Sequence, residues 1–379
     1  MIFNNLNKSL AICVIISFIR KISADGLFPR ARVISLSHHQ TRRQHIIKEM
    51  KSRKIPFEWM DAIDGKELSQ SSLMTNATSL GRWFMTPGMI GCFLSHRQCW
   101  EICVRSNEPL LVFEDDVVLA QNFRRVAVAA MEHFTNKDIH SHSDKYEDDW
   151  DVVLLGALGC VHPSKTKFGF NWIPSLVGGK WRKMRRVATL ALDDKSAGTI
   201  NIHSSSRSDD HEIITTPTAS SLLHAPMCPY GMHAYILSPK GAAKLLKNFP
   251  RASYHVDVVA WGLKGLNILA VHPLVAWQTN DDTTIGGLVE IWKRIFPRWV
   301  ADKYTGFEIG WALTAPLLRV GGHLFGGKLL LTNGSSLAIL FVGLVVGIIL
   351  RSYTICGITF LFAFVVTATV RLLASKWNV

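Results

Sequence analysis

Three consecutive carboxylates, Glu114, Asp115 and Asp116, follow directly after the apolar run Leu110–Phe113. Such a run is typical of a strand that is buried on both faces of a parallel sheet. Ligands of open α/β sheets bind beyond the carboxyl ends of the strands, which is where these acids are expected. Adjacent acids repel one another, so a hard divalent cation, Mn²⁺ or Mg²⁺, is their natural partner and can bridge them to substrate phosphates. The alternative is a solvated acidic turn, because short acidic motifs often arise by chance.

Two further pairs of residues are candidates for holding an anion. Arg42 and Arg43 open the helix that is predicted after a first strand at residues 31–36, where they can meet a phosphate or form a solvated basic helix start. Ser95 and His96 fall early in a helix that begins after Pro87, where backbone N–H groups help to bind negative charge. A structural role for His96 is the alternative.

Asp257 is the single acid in the apolar run 256–261. An isolated carboxylate in apolar surroundings needs either a partner or a chemical role. Helix capping is its main structural explanation, and general acid–base chemistry is the functional one.

The composition of the chain limits the kinds of partner that it is expected to bind. The chain has 379 residues and a net charge of +13, which fits one large or two smaller α/β domains and an anionic partner. It contains no nucleic-acid-binding motif, so a nucleotide-sugar phosphate and membrane lipid are the expected partners, and nucleic acid is not. The seven cysteines show neither a CxxC nor a Cys/His metal spacing, so neither zinc nor a disulfide framework is predicted.

Apolar segments lie at both ends of the chain. Residues 9–19, within a short apolar N-terminal segment at 1–30, suit a signal-peptide core, an interfacial anchor or a misassigned start. Residues 286–330 mix aromatic and basic side chains and suit an interfacial region. Two apolar runs, divided by Arg351, predict a transmembrane hairpin or span over 337–370.

Several blocks of sequence, taken together and in order, resemble glycosyltransferase family 25. This family includes bacterial lipopolysaccharide galactosyl- and glucosyltransferases and animal collagen galactosyltransferases. The blocks cover roughly residues 31–285 and are Val33–Leu36 with Arg42 and Arg43, Asp61–Gly65, Gly88–His96, Leu111–Val117, Gly231–Leu246 and Val256–Asp257.

The resemblance implies an α/β fold: a GT-A-like nucleotide-sugar-binding domain over 31–285 with a mixed, mostly parallel sheet, joined here to C-terminal transmembrane segments. It also implies transfer of galactose or glucose from a UDP-sugar to a glycan or lipid-linked acceptor, with inversion. Residues 160–224 form a variable insertion outside the family core.

The resemblance also assigns site residues and a location. Glu114, Asp115 and Asp116 take the place of the metal-binding motif, and Asp116 is the first choice for direct contact with the metal. Asp116 and Asp257 are the candidate catalytic residues, with Asp257 as the general base. The donor is expected at Glu114 and Asp115 and at the two basic or polar pairs, Arg42 with Arg43 and Ser95 with His96. The expected location is the inner membrane, with the catalytic domain cytoplasmic. The alternatives are a collagen-type enzyme of the ER or Golgi lumen and a non-catalytic membrane-bound module that binds sugar nucleotides.

Overall fold

The computed structural model describes residues 27–135, 150–160, 185–192, 220–226, 228–279, 301–302, 307–308, 316–320 and 329–362. The strands of its main sheet are β1 (Arg30–Ser35), β2 (Glu58–Asp61), β3 (Leu110–Glu114), β5 (Val152–Cys160), β6 (Arg185–Ala191), β7 (Ser220–Ala225), β8 (Cys228–Leu237) and β9 (Ile268–His272). Short ribbons are formed by β4 (Val117–Leu119) with β10 (Ala276–Gln278), by β11 (Ala301–Asp302) with β12 (Phe307–Glu308), and by β13 (Pro316–Val320) with β14 (Leu329–Thr332). The helices are α1 (Gln40–Ser52), α2 (Gln70–Asn76), α3 (Ser79–Phe84), α4 (Pro87–Ser106), α5 (Phe123–Thr135), α6 (Pro239–Asn248), α7 (Val256–Gly262) and α8 (Asn333–Ile349).

The main sheet has eight strands in the order β2-β1-β3-β8-β5-β9-β7-β6. Parallel pairing joins β1 to β2, β1 to β3, and β5 to β9. Antiparallel pairing joins β8 to both β3 and β5, and β7 to both β9 and β6. Six strands therefore run in one direction, and only β7 and β8 oppose them. The predicted mixed, mostly parallel sheet is confirmed.

The central strand β3 is the one that the acidic residues follow. Leu110 to Phe113 are all buried, with apolar side chains on both faces of the sheet. One core lies against α4 and includes Phe93 and Trp100, and the other lies against α1 and α5 and includes Phe123. Because β1 and β3 are parallel neighbours, Ile34 pairs with Glu114, and the ends of both strands lie at the same edge of the sheet.

Contacts of nearby residues define where helix α4 begins. The Thr86 side chain accepts a hydrogen bond from the Met89 N–H, and Pro87 stands at the first helical turn, where its missing N–H costs nothing. One turn later Gly91 lies against the Asp61–Gly65 segment, because a Cβ at Gly91 would lie 2.3 Å from the Ile63 carbonyl oxygen. The absence of a side chain at Gly91 thus lets the helix approach the loop that follows β2.

The predicted insertion at 160–224 contributes to the sheet. Its described residues include β6 and part of β7, which form an antiparallel pair at one sheet edge. Most of the remaining residues of this segment lie outside the described part of the chain, as do residues 9–19 and most of 286–330.

The transmembrane part of the predicted fold class is wrong. Among the described residues, no helix is both long enough and apolar enough to cross a membrane. Helix α8 has 17 residues, fewer than the roughly 20 that a span needs, and the chain turns at Arg351, whose φ is +49°. Helical residues 353–362 follow, and residues 363–370 of the predicted hairpin lie outside the described residues. The predicted membrane partner is not supported by the described residues.

The contact at Gly91 predicts the effect of a single methyl group. Replacing a helical glycine with alanine normally stabilises a helix by about 1 kcal/mol. At Gly91 the added Cβ would overlap the Ile63 carbonyl oxygen and the Gly65 nitrogen, so we expect Gly91→Ala to destabilise the fold by about 1–3 kcal/mol in urea unfolding. Gly357→Ala is the matched control, because no atom lies within 4 Å of its Cβ position. Equal stability of the two variants would contradict the close approach.

Candidate active site

The three adjacent acids divide between two environments. Asp115 is 6% exposed, and both of its carboxylate oxygens are occupied. The Ser35 hydroxyl donates to Oδ2 at 2.7 Å, and Arg42 Nη1 donates to Oδ1 at 2.7 Å. Asp115 therefore ties the end of β1 and the start of α1 to the end of β3. The same Arg42 nitrogen lies 3.8 Å from Asp116 Oδ2, so one guanidinium serves both acids.

Glu114 and Asp116 converge on one amide. Nε2 of Gln278 donates to Glu114 Oε2 at 2.8 Å and to Asp116 Oδ1 at 3.3 Å. The β4–β10 ribbon positions this amide, because Gln278 pairs with Val117, and the Thr279 N–H donates to the Asp116 carbonyl at 2.8 Å. A neutral side chain thus bridges two acids whose charges repel each other.

The two bridged acids have opposite pKa shifts. Burial, reinforced by the negative charge of Glu114, raises the pKa of Asp116 to about 7. Burial also acts to raise the pKa of Glu114, but the hydrogen bond to His96 and the neighbouring positive charges outweigh it and lower that pKa. Near neutral pH, Glu114 therefore holds its negative charge more firmly than Asp116 does.

His96 is oriented by a buried chain of aromatic groups. Its Nε2 lies 3.1 Å from Glu114 Oε1, and its Nδ1 lies 3.1 Å from the Tyr235 hydroxyl. Trp100 Nε1 donates to the same hydroxyl at 3.3 Å. With no exposed surface, His96 has its ring fixed and presents Nε2 to the acidic cluster.

Asp257 lies in the first turn of α7 and is held by two backbone donors. The Gly231 N–H donates to Oδ2 at 3.0 Å, and the Val258 N–H donates to Oδ1 at 2.9 Å. Gly231 has a φ of +75°, a conformation that glycine adopts without strain. Each carboxylate oxygen has a further lone pair, so the group can still accept a proton.

Asp257 and two of the acids at the end of β3 all affect the ionisation of the Cys92 thiol. Burial raises the pKa of the Cys92 thiol well above its usual range, and the charges of Glu114, Asp257 and Asp116 raise it further. The three carboxylates therefore act on one thiol, and the candidate base belongs to the same region as the candidate metal ligands.

A second buried histidine, His233, lies beside this region on β8. Burial lowers its pKa, which favours the neutral imidazole. Its Nε2 lies 3.4 Å from the Ala276 carbonyl, and a Cβ at Gly156 would lie 2.4 Å from that nitrogen. Among the described residues, Nδ1 of His233 is one of the few buried side-chain atoms with no hydrogen-bond partner.

Two of the predicted donor-binding residues are engaged elsewhere. Arg43 pairs with the Asp61 carboxylate and lies over the Trp59 ring, with its guanidinium carbon 4.7 Å from the ring centroid. The Ser95 hydroxyl donates to the Gly91 carbonyl at 2.7 Å and accepts from the Ile63 N–H at 2.9 Å. Both side chains hold the ends of β1 and β2 near the acids, and their predicted contact with the donor stays a prediction.

Sequence reasoning missed several residues around the acids. Ser35 and Gln278 donate hydrogen bonds to them, Tyr235 orients His96, and Cys92 and His233 lie nearby. Ser35 ends β1, so its closeness to Asp115 follows once β1 and β3 are known to be parallel neighbours. Gln278 carries no such signal, because its contact depends on the pairing of β4 with a strand far away in the sequence.

The donor set fits a hard divalent cation. Glu114 and Asp116 are both largely buried acids that share one neutral donor, and burial opposes ionisation of Asp116. Oxygen donors of this kind are the preferred ligands of Mn²⁺ and Mg²⁺. Asp115 differs, because Ser35 and Arg42 already occupy its oxygens.

Comparison with known proteins relates part of this chain to a family of glycosyltransferases. Residues 28–169 match the family model described as "Glycosyltransferase family 25 (LPS biosynthesis protein)". This region contains β1, the acidic residues and His96, and the resemblance drawn from the sequence is confirmed. These residues are therefore similar to glycosyltransferase family 25.

Curated relatives include proteins from animals and bacteria. The chain is 32% identical to "Inactive glycosyltransferase 25 family member 3" of Mus musculus (46% of this chain, 29% of the relative) and 31% identical to the mouse "Procollagen galactosyltransferase 2" (40% and 24%). It is 37% identical to "Lipooligosaccharide biosynthesis protein lic2B" of Haemophilus influenzae (24% and 34%). The chain thus spans about a quarter to a third of the length of these relatives.

The raised pKa of Asp116 predicts a pH-dependent gain in stability from its neutralisation. An acid whose pKa is higher in the folded state destabilises that state as the pH rises from the ordinary value of 3.8 to about 7. In metal-free buffer, we expect the Tm of Asp116→Asn to exceed that of the wild type by an amount that grows over this range and then levels off. Each kcal/mol corresponds to about 2–4 °C for a domain of this size.

Thermal unfolding between pH 4 and pH 9 measures this difference. Glu108→Gln is the control, because that carboxylate is 60% exposed and lies 3.9 Å from its partner Arg30. A Tm difference between Asp116→Asn and the wild type that stays constant with pH would show that ionisation of Asp116 does not destabilise the fold.

Proposed function

We propose that this chain transfers a hexose, galactose or glucose, from a UDP-sugar to a hydroxyl group of a glycan acceptor, with inversion at the anomeric carbon. The proposal is carried by the pairing of Glu114 and Asp116 on one amide in a segment similar to glycosyltransferase family 25, with Asp257 in the same region. Glu114 and Asp116 would hold Mn²⁺ or Mg²⁺, which neutralises charge on the diphosphate leaving group when bound.

Arg42 is the second positive group, after the metal ion, that is proposed to stabilise the diphosphate leaving group. Its guanidinium already contacts Asp115 and lies near Asp116, so its position is fixed before substrate arrives. A preorganised cation beside the leaving group stabilises the charge that develops as the bond from the anomeric carbon to the phosphate oxygen breaks. Asp115 would act as a positioning residue, since it holds Arg42 and the end of β1 in place.

On the acceptor side, Asp257 would act as the general base. The acceptor hydroxyl attacks the anomeric carbon from the face opposite the diphosphate, which forms the new glycosidic bond, and its proton passes to the Asp257 carboxylate. Two backbone N–H donors hold this carboxylate, so its orientation costs no reorganisation during the reaction.

For the acceptor, we propose a lipooligosaccharide-type glycan. The support is the relative named for lipooligosaccharide biosynthesis, which has the highest identity of the three relatives described above, at 37% over 91 residues. The relative named procollagen galactosyltransferase supports a collagen-type acceptor as the second candidate. Parallel assays with a lipooligosaccharide acceptor and a procollagen peptide distinguish the two, because only the correct acceptor increases UDP release above donor hydrolysis.

A non-catalytic binding module is the alternative from another class. Relatives whose names include the word inactive favour it. The presence of Glu114, Asp116 and Asp257 in one region favours an enzyme, because a module that only binds the sugar nucleotide has no need of a base. Binding of UDP-galactose or UDP-glucose without UDP release on addition of acceptor would support the binding module.

Asp116 is the first test of the metal assignment. We expect Asp116→Ala to reduce UDP release in the presence of Mn²⁺ to background, because a ligand of the leaving-group cation is lost, while the fold is retained. Glu101→Gln is the control, an acid on α4 that pairs with Arg97 instead of with the cluster. Full activity of Asp116→Ala, or of the wild type in chelator, would contradict a role for the metal.

Asp257 is the test of the base. We expect Asp257→Asn to lower turnover by about 10²–10⁴-fold, the usual contribution of a general base, while the KM for the donor changes little. Asparagine retains one oxygen to accept a backbone hydrogen bond, so a large loss of folding is not expected. Unchanged turnover would show that Asp257 only caps α7.

A further inference from the structure

Three side chains of different chemistry converge beside the acidic cluster. The Cys92 sulfur, a ring nitrogen of His96 and a carboxylate oxygen of Glu114 all lie within 4.8 Å of one another. Cys92 and His96 are one turn apart on α4, so they lie on the same face of the helix. Glu114 reaches them from the end of β3. The sequence did not predict this group, because its third member, Glu114, comes from β3 and not from α4.

We propose that Cys92, His96 and Glu114 bind a borderline-soft divalent cation of the Zn²⁺ type, at a site distinct from the all-oxygen pair Glu114 and Asp116. Sulfur, nitrogen and oxygen together are a donor set that Zn²⁺ accepts, whereas Mn²⁺ and Mg²⁺ prefer oxygen alone. Bonds of about 2.0–2.3 Å in a tetrahedral site place the ligand atoms about 3.3–3.8 Å apart. A separation of 4.8 Å would therefore have to close by about 1 Å, which the Cys92 and Glu114 side chains can provide by small rotations.

The surroundings of His96 prepare one nitrogen for this role. Its Nδ1 is held by the Tyr235 hydroxyl, which also accepts the Trp100 N–H, and this arrangement leaves Nε2 directed at Glu114. A ligating histidine is typically oriented in this way by a partner on its other nitrogen. Binding at Nε2 requires the proton on Nδ1, from which it can be donated to the Tyr235 oxygen.

Glu114 belongs to both sites, so the two cations compete for one carboxylate. Occupation by Zn²⁺ would remove a ligand from the Mn²⁺ site and inhibit Mn²⁺-supported transfer, and raising the Mn²⁺ concentration would relieve the inhibition. This consequence rests on the proposed function, whereas the Cys92–His96–Glu114 site itself does not.

Cobalt is the probe that tests the site without an activity assay. The full chain, kept reduced with a phosphine and freed of metal, is titrated with Co²⁺ while the thiolate-to-cobalt charge-transfer band is recorded, and Zn²⁺ is then added to displace the cobalt. We expect one Co²⁺ to bind with a thiolate band that Zn²⁺ abolishes. In Cys92→Ser the band should disappear and Zn²⁺ affinity should fall at least tenfold.

Controls separate this site from other thiols and from misfolding. Cys103 lies on the same helix, with its thiol between the Glu108 and Leu237 carbonyls, and the serine hydroxyl of Cys103→Ser can donate to one of them, so its band should equal the wild type. Glu114→Gln should keep the band but bind more weakly. A wild type without a thiolate band, or a band that survives in Cys92→Ser, overturns the proposal. A band without sugar transfer leaves the site standing and rejects the proposed enzyme instead.

Discussion

The repulsion between Glu114 and Asp116 is the constraint on which the rest of this region depends. Glu114 ends β3 and Asp116 directly precedes β4, and their side chains are only 23% and 13% exposed, so little water screens the repulsion. The surrounding structure relieves the repulsion from three directions: Gln278 donates to both acids, His96 contacts Glu114, and Arg42 approaches Asp116. These partners come from separate elements, so the acids draw the sheet edge, α1, α4 and β10 together.

The sequence predicted the parts of this arrangement that depend on local pattern. The apolar run before Glu114 predicted a buried strand, and the acids lie at its carboxyl end as expected. Arg42 was placed correctly at the start of α1, although its contact with Asp115 depends on the parallel pairing of β1 and β3. Strand order and the antiparallel insertion of β8 could not be predicted, because apolar periodicity does not record which strands are neighbours.

The transmembrane prediction was wrong because an apolar composition was taken as evidence of a long helix. Residues 337–350 and 353–370 are apolar enough to suggest a span, but a helix must also continue through them. Helix α8 ends at Ile349, and Arg351 takes a left-handed conformation that reverses the chain. The division at Arg351 was visible in the sequence, but the number of helical residues before it was not, because hydropathy averages do not mark where a helix begins.

The Gln278 amide would weaken the binding of the cation proposed for Glu114 and Asp116. It occupies the position between Glu114 and Asp116 that a cation between these acids would take, so an arriving ion must first displace it. The apparent affinity for the proposed cation would then be the free energy of cation binding less that of the Gln278 contacts, which are always available. Such a placeholder favours weak, rapidly exchanging binding that responds to the free concentration of the ion. A strand that contributes no ligand, β10, would thereby set the ion concentration at which the site fills.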